Sequence, residues 1–305
     1  MADGAEIKSR INSVRDTKKV TDAMYMISSV KLRRARRELE KTAPYFRSLK
    51  EEISQLVSHI PETKNRYFRV PDPALGDHRR HGILLVTSDK GLVGSYNRTA
   101  TEVCEEFISH HPDTVLFIIG EYGRQYFRSK GVSVVSDFRY SSELPTVWKA
   151  RRICADLLEY YDDGRLDDVG IIYTDARGGV SGECRKITLL PLSRSDFAGE
   201  TDDGDETEFF PDPDTVLTGV IPSYLTGFIY SSLVDSYCSE QTSRMSAMEH
   251  ASDNASEMLD ELKLNYNRVR QAAITREMTE IASGAAALRK KKEARRITEG
   301  TDGKR

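Results

Sequence analysis

The sequence has few of the residue patterns that build an active site. No glycine-containing turn ends in GK[ST], and no GxG occurs in the 305 residues, so the P-loop and the dinucleotide fingerprint are both missing. GxSxG is absent, and the six histidines form no set with a third ligand nearby. We therefore expect no catalytic residue, no bound metal and no cofactor.

Cysteine and long apolar runs are also scarce. The four cysteines, Cys104, Cys154, Cys184 and Cys238, include no CxxC pair, which favours reduced thiols in a cytosolic protein. No apolar run reaches the ~20 residues of a membrane span. The N-terminus carries no hydrophobic signal core. We expect an intracellular chain whose only link to a membrane is through partners.

The whole chain has no large excess of positive or negative charge, but single segments do. The net charge of −3 argues against a nucleic-acid binder. Residues 31–37 (KLRRARR) nevertheless carry five positive charges, and 289–296 (RKKKEARR) carry six. The segment 200–214 holds eight acids and no base. A basic cluster on a helix is usually a solvated face, so charge alone leaves the role of 31–37 open.

The first 60 residues follow a helical period. Small or apolar side chains recur at steps of mostly three and four, which predicts one long helix over 1–60 with a gentle bend near Pro44. The recurring positions are Ile7, Ile11, Val14, Met24, Ile27, Leu32, Ala35, Leu39, Ala43, Phe46, Leu49, Ile53, Leu56 and Ile60.

The C-terminal region repeats this pattern more strictly. Its steps of three and four, sustained over about four heptads, indicate a coiled-coil seam in a helix over 215–288. Two such helices at opposite ends of one chain can bury their stripes on each other in antiparallel fashion. The seam positions are Met245, Met248, Ser252, Ala255, Leu259, Leu262, Tyr266, Val269 and Ala273.

The middle of the chain alternates between strands and helices. Strands are predicted at 82–88, 114–120, within 166–176 and at 184–192, with helices between the first three of them. The turn SDKGLVGSYN (88–97) predicts a tight strand-to-helix connection, since it lacks a phosphate-binding ending. The fold class is therefore α/β, with a long antiparallel coiled coil of the terminal helices and a small, mostly parallel, Rossmann-like sheet.

These patterns divide the chain into six segments. We expect an N-terminal shaft helix, a linker, a central α/β domain, an acidic linker, a C-terminal shaft helix and a basic tail that is partly disordered beyond about Ile297. Their respective bounds are 1–60, 61–81, 82–199, 200–214, 215–288 and 289–305.

Four long stretches resemble one family in the right order. They are 6–36 (EIKSRINSVRDTKKVTDAMYMISSVKLRRAR), 87–97 (TSDKGLVGSYN), 239–255 (SEQTSRMSAMEHASDNA) and 266–288 (YNRVRQAAITREMTEIASGAAAL). They look like the gamma subunit of F-type ATP synthase, the central rotor shaft. The resemblance covers almost the whole chain.

The resemblance implies a mechanical role without a catalytic site. The shaft would couple ion flow through the membrane sector to conformational change and ATP synthesis or hydrolysis at the beta subunits. One copy would meet a ring of three alpha and three beta subunits, the epsilon subunit and the membrane ring of c subunits. The missing transit peptide favours a bacterial protein, peripheral on the cytoplasmic side of the cell membrane. The coupling ion, proton or sodium, is left open.

The resemblance also assigns contact residues. By family position, the chain would meet beta subunits through Met24, Lys31, Arg33, Arg34, Arg270, Gln271, Thr275 and Glu277. The axle tip, where small side chains allow rotation within a close-fitting collar, would be Ala282, Ser283, Gly284, Ala285, Ala286, Ala287 and Leu288.

Two other classes of function stay open on the residues alone. An enzyme or nucleotide binder built on the α/β domain would need a phosphate-binding turn, which the glycines do not supply. A coiled-coil scaffold with a non-catalytic α/β domain would need a seam that continues unpaired or self-associates. A thiol switch of the chloroplast kind is not expected, because no close cysteine pair occurs in an inserted loop.

Overall fold

The computed structural model describes residues 4–59, 65–68, 79–176, 182–197, 210 and 212–301. Helix α1 spans Gly4–His59 and helix α5 spans Pro213–Thr301. Between them lie β1 (His81–Val86), α2 (Tyr96–His110), β2 (Val115–Ile119), α3 (Glu121–Ser129), α4 (Val147–Asp162), β3 (Asp168–Asp175) and β4 (Glu183–Leu190). Contacts divide the chain into two units, one of 1–23 with 249–305 and one of 24–248.

The first unit is an antiparallel pair of helices. Ile7 and Ile11 of α1 are buried against Leu259 of α5, with Val14, Leu262, Tyr266 and Val269 packed around them. Numbering rises along one helix as it falls along the other, because Gly4 lies beside Val269 whereas Lys18 reaches Ser252. The apolar steps of both helices therefore meet as the sequence predicts.

A polar cluster closes this helix pair near its junction with the rest of the chain. Lys18 Nζ donates to Ser252 Oγ over 2.7 Å, and the Ser252 hydroxyl donates to the Asp22 carboxylate. The serine hydrogen bond holds the pKa of Asp22 below its ordinary value, with help from Lys18. A serine at a seam position brings the backbones close and also fixes the register through these hydrogen bonds.

The second unit contains one four-stranded sheet. Its strand order is β2-β1-β3-β4, with β1 parallel to both neighbours and β4 antiparallel to β3. Leu84 of β1 aligns with Phe117 of β2 and Ile171 of β3, so the centre of the sheet is apolar on every strand. The prediction of a mostly parallel α/β sheet is confirmed.

Helices cover both faces of that sheet. On one face, Ile83, Leu85 and Ile118 pack against Ala100 and Cys104 of α2 and against Phe127 of α3. On the other, the alternate strand residues join one large core with α4 and with the parts of α1 and α5 in this unit. Long helix segments thus form part of the domain core, from Ile53, Leu56 and Val57 on α1 to the stretch Leu217–Cys238 on α5.

Helix α5 begins earlier than expected, at Pro213 rather than at residue 215. Asp212 accepts hydrogen bonds from the Thr215 amide (2.9 Å) and from its hydroxyl (2.6 Å), which is the geometry of an N-cap. Proline suits the first helical turn because its missing N–H has no partner there anyway. Of the acidic segment 200–214, residues 200–209 and 211 lie outside the described residues.

The far end of α5 also exceeds the predicted bound. The backbone is helical through Thr301, which extends the helix into the basic segment for which the sequence indicated partial disorder. Alanine, lysine, arginine and glutamate all favour helix, and no proline interrupts them. Residues 302–305 lie outside the described part of the chain. The functional division into six segments stays a prediction.

One window of α5 is apolar enough to cross a membrane by length and composition, with a mean hydropathy of 1.3 over 18 residues. The expectation that the chain has no stretch apolar enough to span a membrane is therefore wrong, as judged by length and composition. Half of that window is buried inside the protein. Core helices of globular domains pass the same test, and Leu217, Ile221 and Leu225 of α5 are core residues here.

The close approach of α1 and α5 in the second unit depends on Gly227. A Cβ placed there would lie 2.1 Å from Cδ1 of Phe46, whose ring also packs against Tyr230. We expect G227A to lower the free energy of unfolding by about 1–3 kcal/mol, because the phenyl ring must move. Urea unfolding followed by circular dichroism measures this change.

Gly219 offers a matched control on the same helix. It is exposed, and a Cβ there meets nothing within 4 Å. G219A should therefore stabilise the protein by up to ~1 kcal/mol through helix propensity. Equal effects of the two substitutions would contradict the close contact between Gly227 and Phe46.

Candidate partner-binding surfaces

The last part of α5 is a helix without a covering partner among the described residues. Every side chain of 270–292 is exposed, whereas Leu259 is buried and Val269 half-buried. Gly4, the first described residue of α1, lies beside Val269, so the pairing among the described residues reaches this point. The seam prediction is therefore confirmed up to Val269 and fails at Ala273, which is exposed.

This exposed end keeps an apolar stripe. Ile274, Met278, Ile281 and Leu288 are 48, 68, 67 and 70% exposed. The first three follow steps of four and three, so they lie on one face of the helix, and Leu288 continues that face two turns on. An unpaired stripe of this kind is typical of a surface that another protein covers. We call residues 270–292 the free end of α5.

The residues assigned to the C-terminal contact lie on this free end. Arg270, Gln271, Thr275 and Glu277 are exposed in its first two turns. The small-residue segment follows, and Gly284 has open space where a Cβ would stand. All seven of its members are exposed: Ala282, Ser283, Gly284, Ala285, Ala286, Ala287 and Leu288.

The basic cluster of α1 borders a groove in the second unit. The groove has a volume of about 610 Å³ and is lined by Lys31 and Arg34 together with apolar atoms of Ala35, Val234 and Leu144. Within the described ranges, Arg33 and Arg34 form no ion pair, whereas Lys31 lies 3.8 Å from the Glu143 carboxylate. Glu38 and Glu143 also line the groove, so its apolar floor is bordered by charges of both signs, with the exposed Arg33 beside it.

Met24, like Lys31, is less exposed than the other residues assigned to the contact with beta subunits. It is half-buried and lines a cavity of about 190 Å³ with Lys31, Glu240, Gln241 and Arg244. The structure thus brings Met24 and Lys31 together at one cavity and places Arg33 and Arg34 on the adjacent surface.

A buried ion pair stands behind this cavity. Arg244 Nη1 and Glu240 Oε1 are 2.8 Å apart, with side chains 11 and 5% exposed. Burial raises the pKa of Glu240, and Arg244 opposes that rise. Arg244 also points toward the carbonyl oxygens of Lys90 and Gly91, each 3.5 Å away. Helix α5 is thereby joined to the turn that follows β1.

That turn, 88–97, is filled by its own hydrogen bonds. The Ser88 amide donates to Asn97 Oδ1 (2.9 Å), and Asn97 Nδ2 donates to Ser88 Oγ (2.7 Å). Leu92 and Gly94 adopt positive φ angles of 61° and 55°, which make the connection tight. The expectation of a structural strand-to-helix turn agrees with this geometry.

Asp89 organises the loops around the turn. Its carboxylate accepts from the amides of Glu121 (3.1 Å), Ser142 (3.0 Å) and Glu143 (3.3 Å), and from the Ser141 hydroxyl. Desolvation opposes ionisation, but these hydrogen bonds outweigh it and hold the pKa of Asp89 below its ordinary value. Glu143 in turn faces Lys31 at the groove, so Asp89 positions one of its walls.

Sequence reasoning missed Glu240, Arg244 and Asp89. A signal for the first two exists, since an acid and a base four residues apart are the only charged residues in a stretch of helix (YCSEQTSRM). No local pattern marks Asp89 as a hub. Its partners are 32 to 54 residues away in sequence.

The geometry defines a class of protein: an α/β domain built around two long helices, with the groove beside α1 and an uncovered helix end as its outward surfaces. Within the described residues, no group of three or more His, Cys, Asp or Glu side chains could hold a metal ion.

Comparison with known proteins narrows this class. The family model described as ATP synthase matches residues 4–288. The ATP synthase gamma chain of Ruminiclostridium cellulolyticum is 38% identical over 289 residues, covering 93% of this chain and 98% of that protein. The sodium-ion-specific ATP synthase gamma chain of Acetobacterium woodii is 34% identical over 300 residues, with 93 and 98% covered. The chain belongs to the ATP synthase gamma-chain family.

Solved structures share the fold. A chain of the Euglena gracilis mitochondrial ATP synthase, solved with OSCP, F1 and c-ring in rotational state 3, gives a TM-score of 0.61 at 16% identity, covering 94% of this chain and 95% of that one. A chain of the Tetrahymena thermophila central stalk and c-ring structure gives 0.57 at 21% identity, covering 76 and 99%. At these identities the likeness concerns the fold alone.

Asp89 gives the α/β domain a pH-dependent stability. Its folded-state pKa is lowered, so its contribution is complete above the unfolded value of about 3.9 and is lost as pH falls through the folded value. We expect D89N to cost about 1–3 kcal/mol at pH 7, because an amide nitrogen replaces an acceptor.

Urea unfolding of the wild type and D89N between pH 7 and pH 3 tests this. The difference in free energy of unfolding should shrink below pH 4, because the Asp89 carboxylate of the unfolded wild type begins to bind a proton there while the folded one stays ionised to lower pH. The exposed Asp113 supplies the control, and D113N should stay within ~0.5 kcal/mol of the wild type at pH 7. A D89N deficit that is constant with pH would contradict the role of the ionised carboxylate.

Proposed function

We propose that this subunit is the central stalk of an F-type ATP synthase and transmits rotation between the membrane sector and the beta subunits. The observation that carries the proposal is the free end of α5, where 23 consecutive residues (270–292) are exposed on a helix that belongs to the gamma-chain family. Such a helix end is built to be surrounded by other subunits. The chain itself contributes no catalytic group.

The free end is the part that stands within a ring of three alpha and three beta subunits, one shaft for each ring. Its two faces differ, because large side chains at Ile274, Met278 and Ile281 occupy one side only. A ring of beta subunits around it therefore meets different contacts at each position. Differences in contact free energy among beta conformations then drive the conformational change.

Small residues follow at 282–287, nearer the C-terminus. A close-packed interface of large side chains would have one deep minimum of energy, which would hold the shaft in one orientation. Alanine, serine and glycine give shallow contacts in several orientations. This difference supports an axle tip that turns freely at 282–287 and tighter contacts with the beta subunits in the first turns of the free end. The first-turn contacts proposed are Arg270, Gln271, Thr275 and Glu277.

The groove beside α1 supplies a second contact with the beta subunits. Arg33 and Arg34 are exposed, and Lys31 and Met24 line the adjoining cavity. An acidic and apolar lever segment of beta fits this combination of charge and surface. Arg244, Glu240 and Asp89 hold the groove walls to the α/β domain, so force applied at the groove reaches the sheet through a buried polar network.

The α/β domain is the part that meets the epsilon subunit and the membrane ring of c subunits. The protein then lies on the cytoplasmic side of a bacterial cell membrane as a peripheral subunit. The coupling ion is a proton or sodium, and the sodium-specific relative from Acetobacterium woodii shows that this family serves both kinds of synthase. The ion is selected in the membrane ring and not by this chain.

Reconstitution with the organism's alpha and beta subunits tests the proposal. Native mass spectrometry should show three alpha, three beta and one copy of this chain, and the ATPase rate should exceed that of alpha and beta alone. The separate chain should show no ATPase activity. If alpha and beta assemble without incorporating this chain, the central-stalk proposal fails and the coiled-coil scaffold becomes the leading account.

The apolar stripe of the free end should contribute most of the affinity there. The triple variant I274S/M278S/I281S removes three exposed side chains, so folding of the chain should be unchanged. Affinity for the alpha–beta ring should fall on the order of 100-fold, since each buried side chain contributes roughly 1 kcal/mol. Surface-plasmon or native-mass titration measures it.

Leu264 provides the matched control. It is 61% exposed on the same helix but belongs to the segment paired with α1. L264S should bind the ring within about twofold of the wild type. Equal losses for L264S and the triple variant would contradict a specific role of the free end.

A further inference from the structure

The α/β domain contains a pocket that no contact described above uses. It has a volume of about 260 Å³ and lies between the start of β1, the end of α2 and the outer strands β3 and β4. Gly170 forms part of its lining, where a Cβ would lie 3.1 Å from Ile83 Cδ1 and 3.4 Å from the Ile187 carbonyl oxygen. The missing side chain keeps the pocket open.

The lining of this pocket is strongly cationic. It includes Arg79, His81, His111 and Lys186, with Asp168 as the single carboxylate. Four elements supply these groups, since Arg79 precedes β1, His111 follows α2, and Asp168 and Lys186 lie on β3 and β4. With both imidazoles neutral the set already carries one net positive charge, and each protonation adds another. A pocket with an excess of positive charge attracts a small anion.

The imidazole rings of His81 and His111 lie next to each other in the pocket. Their ring centroids are 4.5 Å apart at 78°. His81 Nδ1 lies 2.8 Å from an Asp168 carboxylate oxygen, and His111 Nδ1 lies 2.9 Å from the Phe107 carbonyl oxygen. Acceptors at both Nδ1 positions fix the N–H there, so Nε2 of each ring is the nitrogen that donates in the protonated imidazole.

Two further donors lack a polar acceptor. Lys186 Nζ lies 4.1 Å from the centre of the Phe107 ring and has no ion pair within the described residues. Arg79 Nε is buried and, among the residues the structure describes, has no hydrogen-bond partner. A buried donor without an acceptor is unfavourable, and an acceptor in the pocket would relieve that cost.

We propose that this pocket binds a small tetrahedral oxyanion with two negative charges, of the kind represented by inorganic phosphate and sulfate. Arg79 and Lys186 supply fixed positive charge, and His81 and His111 add donors at Nε2 when protonated. Asp168 orients His81 and limits binding at high pH. The site is separate from the groove beside α1, and it makes the α/β domain responsive to anion concentration and to pH.

Sulfate is the first probe, because its charge does not change between pH 6 and pH 8. The full chain, labelled with ¹³C at histidine Cε1, is titrated with sodium sulfate at both pH values while chloride keeps the ionic strength constant. Substitution of single histidines assigns the six signals. We expect saturable shifts of His81 and His111 alone, with roughly tenfold tighter binding at pH 6. Phosphate at pH 8 should displace sulfate from the same signals.

Three variants decide the assignment. K186Q should weaken sulfate binding about tenfold at both pH values. H111Q should keep the affinity at pH 8 and lose part of the gain at pH 6. Arg128 is an exposed base in the same domain and outside the pocket, so R128Q should behave as the wild type. Lys186 is exposed, so K186Q should fold normally.

The opposite results would overturn the proposal. Shifts that rise linearly without saturation, or that appear equally at His110 and His250, would show general ionic effects. Equal affinities of K186Q and R128Q would remove the pocket as the site of binding.

Discussion

The difference in length between two paired helices determines most of this structure. Helix α5 has 89 residues and α1 has 56, and their antiparallel pairing places Gly4 beside Val269. Among the described side chains of α5 beyond that point, those of 270–292 are all exposed, a stretch of roughly 35 Å at 1.5 Å per residue. An apolar stripe continues into it. The folded chain therefore leaves this apolar stripe exposed, and exposed apolar stripes are typical of surfaces that other proteins cover.

The α/β domain packs against both long helices within the second unit. Residues of α1 and α5 in the second unit are part of one core with the sheet and α4. Hydrogen bonds also connect these elements. Arg244 joins α5 to the turn after β1, and Asp89 joins the same turn to the loop 141–143. Apolar packing gives stability, whereas such networks select one arrangement.

Periodic features of this fold could be predicted from sequence. The strands around Leu84, Phe117 and Ile171 are short apolar runs, and the steps of three and four on α5 give its seam up to Val269. What depends on contacts between distant residues could not be predicted. The antiparallel direction of β4, the Asp89 hub and the end of pairing at Gly4 arise from tertiary geometry and leave no local signal. The contact residues of the free end came from family resemblance, and the structure adds that all are exposed.

Amide hydrogen exchange along α5 tests the central claim most directly. The experiment compares the chain alone with the chain assembled with alpha and beta subunits. We expect fast exchange over 270–292 in the free chain and strong protection of the same amides in the complex. Amides near Leu259, already buried against α1, should change little. Unchanged exchange over 270–292 in a complex of confirmed composition would contradict the claim that the free end of α5 is the surface that other subunits enclose.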